Sequence, residues 1–147
     1  MTRRSRPIAL AATLVALAGC AARRDVPPPA APFLLYHKTG GFVGLRLGLS
    51  VDTQGHWVAF RLGTTEVLRE GGFAPATLDT LRTRVAQDRD WGTFRAREAD
   101  AFHVRLEHFR DGGSRVVEGP CVGRDAGVPE SWNVCWAILD RPLVGLR

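Results

Sequence analysis

The chain has 147 residues, of which 45% are hydrophobic and 24% charged, and its formal net charge is +5. This length suits one domain with a real buried core. The basic residues are scattered along the chain, which argues against the basic stripe that tracks a phosphate backbone, and we predict no nucleic-acid partner.

The amino terminus combines a basic segment with an apolar one. Arg3, Arg4 and Arg6 occur without any acidic neighbour, and residues 8–18 (IALAATLVALA) are apolar. This order is typical of a secretory signal. The apolar segment is much shorter than the roughly 20 residues that a permanent membrane span needs. We therefore predict a cleaved leader and no integral membrane helix.

The apolar segment ends in LAGC at residues 17–20, which resembles the lipobox of bacterial lipoproteins. In that family the cysteine thiol takes a diacylglyceryl group, the chain is cut before it, and the new amine is commonly acylated; the resemblance thus implies fatty acyl chains such as palmitate. The resemblance implies a signal peptide at 1–19 and a lipid on Cys20 that holds the protein on a membrane. In a cell with two membranes, Ala21 after that cysteine, rather than an aspartate, implies sorting to the outer membrane, facing the periplasm; the inner membrane is the alternative. A plain signal peptide with an incidental cysteine is the alternative.

The other two cysteines are Cys121 and Cys135. The bacterial envelope outside the inner membrane is oxidising, so an even pair there predicts a disulfide. Its loop of 15 residues would stabilise the fold by about 3 kcal/mol. Two separately buried thiols are the main alternative, and a zinc site is disfavoured because no second ligand pair accompanies these residues.

Residues 20–32 (CAARRDVPPPAAP) contain four prolines and few large apolar side chains. Such a segment cannot bury enough surface to fold, so it predicts a semi-extended tether. The folded domain is then expected at 33–147.

The domain begins with two strand-like segments. Residues 33–38 (FLLYHK) are rich in β-formers, and residues 45–52 (LRLGLSVD) alternate apolar and polar positions. Alternation with period two is typical of a half-buried strand.

Residues 56–63 (HWVAFRLG) predict a third strand. We expect Val58 and Phe60 to face the core. Trp57 then falls on the outer face of the sheet with Ala59, where an exposed indole could contact a partner.

The pattern changes to a helical period at residues 74–91 (APATLDTLRTRVAQDRDW). Leu78, Leu81 and Val85 recur at i, i+3 and i+7, which predicts one amphipathic helix. Pro75 suits its first turn, where a missing amide hydrogen costs nothing.

Residues 101–109 and 114–119 alternate again and flank a DGG turn at 111–113, which predicts a hairpin. A C-terminal helix follows, because apolar residues recur there at helical spacing. The order of elements predicts an α+β domain: an antiparallel sheet of four to six strands, one helix after the third strand, and the C-terminal helix. The helical positions are Trp132, Cys135, Trp136 and Leu139.

Three segments together resemble the emfourin-like family, whose founding member inhibits thermolysin-like metalloproteases. They are YHKTGGFVGLRLGLSVD, LDTLRTRV and ADAFHVRLEHFRDGGSRVVEG, within roughly residues 34–119. The resemblance implies a non-catalytic protein-binding domain, with a secreted metalloprotease or another envelope protein as the partner. The last helix departs from the family pattern, because the two cysteines and a VGRDAG insertion are added there.

The glycine-rich turn TGGFVG is the candidate binding loop. Gly40 and Gly41 allow positive φ where the strand reverses. Phe42 between the glycines is either a cap over one end of the core or an exposed aromatic anchor, and the sequence leaves both readings open. With Trp57, these residues form the candidate binding set.

No catalytic constellation is evident. Ser131 opens a helix and lacks the G-x-S-x-G context of a nucleophile. His103 and His108 fall on opposite faces of one strand, and Asp88 and Asp90 are interpreted as solvated charges. We predict no enzyme activity, no cofactor and no metal site. A structural or accessory envelope lipoprotein without inhibitory activity is the alternative function.

Overall fold

The structure, a computed structural model, describes residues 32–91, 102–120 and 128–146. Within these residues it is an α+β fold, as predicted, with a six-stranded antiparallel sheet in the order β4-β3-β2-β1-β5-β6 and two α-helices. The predicted signal peptide and nearly all of the predicted tether lie outside the described residues. The strands are β1 (Leu34–Gly40), β2 (Leu45–Val51), β3 (His56–Arg61), β4 (Val67–Gly72), β5 (His103–Arg110) and β6 (Gly113–Pro120), and the helices are α1 (Pro75–Val85) and α2 (Glu130–Asp140).

Helix α1 follows the fourth strand, so its predicted place after the third strand is wrong. The intervening β4 has the sequence VLREGG, in which two glycines and two charged residues hide any alternation. β4 is an edge strand, and its pairing with β3 is interrupted by a bulge between Ala59 and Phe60. Edge strands are often short, charged and bulged, which limits pairing with other chains.

Both helices contribute to one core on one face of the sheet. The sheet supplies alternate residues of each central strand, as period-two alternation requires. The helices supply the apolar stripe of α1 and one face of α2. Fully or nearly fully buried members of this core include Leu34, Tyr36, Leu47, Leu49, Val51, Leu81, Val85, Val104, Trp132, Cys135 and Leu139.

The predicted orientation of β3 is wrong. Trp57 pairs with Val51 and Ala59 pairs with Leu49, and paired residues share a face in an antiparallel sheet. Ala59 is fully buried and Trp57 packs against the core, so both face the helices. Phe60 and Val58 lie on the opposite, helix-free face. Phe60 pairs there with Gly48, and the absence of a side chain on Gly48 leaves room for the phenylalanine ring.

The sheet has two distinct ends. We call the end that holds the β1–β2 turn the tip end, and the end where β1 begins, at Leu34, the base end. The seven residues of β1 separate the two ends by about 20 Å at roughly 3.3 Å per residue. Within the described residues, no helix is long and apolar enough to cross a membrane.

Candidate binding surface

The β1–β2 turn at Gly40–Gly44 depends on its glycines. Gly40 and Gly41 have φ angles of 105° and 71°, a region that other residues enter only with strain. The amide of Gly44 donates to the carbonyl of Gly41 at 3.0 Å. A Cβ at Gly41 would lie 2.7 Å from the Phe102 ring. The turn therefore closes on itself and sits directly on that ring.

Phe42 and Val43 project from this turn into solvent. Their exposed fractions are 92% and 82%, so Phe42 is not a cap over the core. Phe102 occupies the position beneath the turn instead. Of the two readings that the sequence left open for Phe42, the structure has the exposed one, and Gly40, Gly41 and Phe42 lie in one projecting turn.

A groove of about 640 Å³ opens beside the projecting loop at the tip end. Its walls come from the β1–β2 turn, the β3–β4 turn, the start of β5 and the C-terminal segment. The apolar lining residues are Val43, Leu45, Leu62, Phe102 and Leu146. A concave apolar surface beside an exposed aromatic residue is the usual composition of a protein-docking site.

Lys38 holds the floor of the groove in place. Its Nζ lies 2.7 Å from Asp140 Oδ1 and 4.6 Å from the centroid of the Phe102 ring. The Tyr36 hydroxyl also donates to Asp140, at 3.4 Å. Because Asp140 ends α2, these contacts tie the helix, strand β1 and the ring under the turn into one unit. The two charged side chains are 13% and 18% exposed.

Two arginines line the groove. Arg61 forms an ion pair with Glu66 at 2.9 Å. Arg46 is exposed and forms no ion pair with any described residue. The groove therefore offers an apolar surface with one cation free to meet an acidic group of a partner.

The sequence did not identify Phe102, Leu62 and Leu146 as parts of this surface. They come from three separate segments that only the strand order brings to one end of the sheet. The signal that was present is the alternation of residues 101–109, which predicts that Phe102 faces inward with the apolar residues of β5.

Trp57 does not join the candidate surface. Its indole lies 6.3 Å from the Phe73 ring, centroid to centroid, on the helix-covered face away from the turn. The prediction that Trp57 lies on the outer face is therefore wrong, and the physical reason is the register of β3 given above.

The structure describes one of the three cysteines. Cys135 is fully buried in the core and forms no disulfide with any described residue, and burial raises the pKa of its thiol to about 12. Cys20 and Cys121 lie outside the described residues. The lipid on Cys20 and the Cys121–Cys135 disulfide stay predictions.

A buried charged cluster lies near the base end. Asp88, in the 3₁₀ helix that follows α1, is 1% exposed, so its interpretation as a solvated charge is wrong. Its carboxylate pairs with Arg110 and lies 3.3 Å from His108 Nδ1. Burial lowers the pKa of His108, although the hydrogen bond to Asp88 opposes this.

This histidine–carboxylate pair is not accompanied by a nucleophile among the described residues. Two serines hydrogen-bond to other residues: Ser114 Oγ donates to Glu107 at 2.6 Å, and Ser131 Oγ accepts the indole N–H of Trp91 at 2.7 Å. Nor does this part of the chain bring together three or more residues that could ligate a metal ion.

The chain was compared with models of protein families and with curated proteins, and neither comparison finds a match.

Proposed function

We propose that this protein is a lipoprotein of the bacterial cell envelope whose domain binds a protein partner and is not a catalyst. The observation that carries the proposal is the exposure of Phe42 and Val43 on a turn beside an apolar groove. Aromatic anchors that enter a pocket of a partner supply much of the binding energy of protein interfaces. A projecting phenylalanine that is almost fully exposed among the described residues fits that use.

The position of the turn supports the same proposal. The tether precedes Phe33 in the chain, at the base end, whereas the turn lies at the tip end. A domain held by a lipid on Cys20 would therefore present Phe42 away from its own anchor, toward the periplasmic space.

We further propose a thermolysin-like metalloprotease as the partner, and the resemblance to emfourin-like inhibitors supports this choice. The turn is also pre-organised, because the Gly41–Gly44 hydrogen bond and the contact with Phe102 hold its conformation. A loop that is rigid before binding loses less conformational entropy on association.

A structural or accessory lipoprotein without inhibitory activity is the second candidate. The observation that favours it is the helix-free face of the sheet, which carries the half-buried Leu35, Val58 and Phe60 and the 41% exposed Val116. No described element covers these residues, and such a face could contact another envelope protein.

The test uses the purified mature protein in detergent and measures peptide cleavage by a thermolysin-like protease. We expect inhibition at micromolar concentration. Phe42→Ala should weaken it by about 2 kcal/mol or more, roughly 30-fold, and change the free energy of unfolding by less than about 0.5 kcal/mol. Val116→Ala removes an exposed apolar side chain far from the turn and should leave inhibition unchanged.

The outcomes separate the two candidates. If the wild type does not inhibit the protease, the proposed inhibitory function is wrong, and the structural or accessory role is the remaining candidate. Equal effects of Phe42→Ala and Val116→Ala would show that the turn is not the interface.

A further inference from the structure

A second cleft, of about 360 Å³, lies on the helix-covered side at the open edge of the sheet. It is bounded by β3, the end of β4, the first turn of α1 and the end of α2. Trp57 and Phe73 form an aromatic wall, and Ile138 and Pro142 add aliphatic surface. The cleft shares no lining residue with the groove at the tip end.

The position of the Trp57 indole in the aromatic wall requires a glycine in the neighbouring strand. Trp57 pairs across the strands with Gly71, and a Cβ at Gly71 would lie only 2.5 Å from Trp57 Cζ2. The indole therefore lies against bare backbone. Its N–H donates to no described residue, and the hydroxyl of Thr77 in the cleft likewise has no described partner.

Two arginines give the cleft its charge. Arg69 Nη1 donates to the carbonyls of Pro142 and Val144 at 3.1 and 3.3 Å, which fixes the guanidinium at the cleft. Arg141 lines the same space. No carboxylate among the described residues pairs with either arginine, and no described acidic residue lines the cleft.

We infer that this cleft binds a small organic anion, a carboxylate carried on an aromatic or aliphatic body. The charged residues that line the cleft are both arginines, and the indole of Trp57 and the hydroxyl of Thr77 each carry a hydrogen-bond donor with no described partner. Guanidinium groups match the geometry of a carboxylate, and the aromatic wall matches an apolar body. The volume is within the range of small-molecule sites.

The inference is tested by NMR titration of the ¹⁵N-labelled mature protein in detergent with hydrocinnamate. Its uncharged analogue, hydrocinnamyl alcohol, controls for apolar binding and for partition into the micelle. We expect a saturable shift of the Trp57 indole N–H signal with a dissociation constant on the order of millimolar. The alcohol should bind at least about tenfold more weakly, because it lacks the charge.

Two variants identify the site. Arg141→Gln removes one exposed guanidinium of the cleft and should weaken hydrocinnamate binding about tenfold. Arg89→Gln removes an exposed guanidinium outside the cleft and should leave it unchanged. Unchanged dispersion of the amide spectrum shows that each variant is folded.

Four results would overturn the inference. They are the absence of a saturable shift at Trp57, equal binding of acid and alcohol, equal effects of the two arginine variants, and saturable shifts confined to the groove at the tip end.

Discussion

At the scale of single residues, His108 lies between two charged partners. Its Nδ1 lies 3.3 Å from Asp88 Oδ2 and 3.1 Å from Arg110 Nε. One ring nitrogen can donate to the carboxylate or accept from the guanidinium, but it cannot do both. Whether Nδ1 carries a proton, as it does in the charged ring and in one of the two neutral tautomers, therefore decides which of the two partners it bonds.

This arrangement predicts how stability depends on pH. Burial is the largest cause that lowers the pKa of His108 from its ordinary value of 6.5, and the charge of Arg110 adds to it. The pKa of His108 is lower in the folded chain than in the unfolded chain. Its contribution to the free energy of unfolding is therefore fully present above about pH 6.5 and is lost as the pH falls from that value toward the folded pKa. We expect a lower urea midpoint near pH 5 than near pH 8.

His108→Gln should reduce this loss of stability on acidification, because it removes one group that the unfolded chain protonates first. His37 should supply part of what remains, since burial also lowers its pKa. His103→Gln, at an exposed position of the same strand, is the matched control. If the urea midpoint of His108→Gln falls as far between pH 8 and pH 5 as that of the wild type, the prediction is wrong.

At the scale of the elements, strands β2 and β3 pack together where the Phe60 ring of β3 lies over Gly48 of β2. A Cβ at Gly48 would lie 2.4 Å from Phe60 Cζ, so the phenylalanine ring fills the space above Gly48. Gly48→Ala should therefore force the ring out and cost about 1 to 3 kcal/mol in the free energy of unfolding. Gly72→Ala, with no atom within 4 Å of the added Cβ, should change it by less than about 1 kcal/mol. Urea unfolding measures both, and equal losses would contradict this packing.

The predicted disulfide would connect the segment after β6 to helix α2. We expect Cys135 of the envelope-derived protein to resist alkylation even after denaturation, until a reductant is added, and the peptide map to show it linked to Cys121. Reduction should lower stability by about 2 to 4 kcal/mol. A buried free thiol would behave differently: its pKa of about 12 would protect it while folded, but denaturation alone would expose it. Alkylation of both cysteines without reductant would contradict the bridge.

At the scale of the whole molecule, periodicity together with β-forming composition and turn residues predicted the fold class, both helices and five of the six strands. The face of β3 could not be predicted, because apolar residues occupy both of its faces and the choice depends on Gly48 in the neighbouring strand. The exposure of Phe42 was left open for a similar reason. It follows from Phe102, about 60 residues later in the chain, which occupies the place beneath the turn.

The lipid anchor determines how the whole molecule would be displayed. Two or three acyl chains, with each buried CH₂ contributing about 0.8 kcal/mol, make a stable anchor where one chain would not. We expect the wild type to partition with membranes and to have the mass of a lipidated chain that begins at Cys20. Cys20→Ser should lack the lipid mass and leave the membrane fraction, whereas Cys121→Ser, which also removes a thiol, should retain both. Recovery of the wild type with an unmodified Cys20 in a soluble, full-length chain would contradict the anchor, and with it the display of Phe42 away from a membrane.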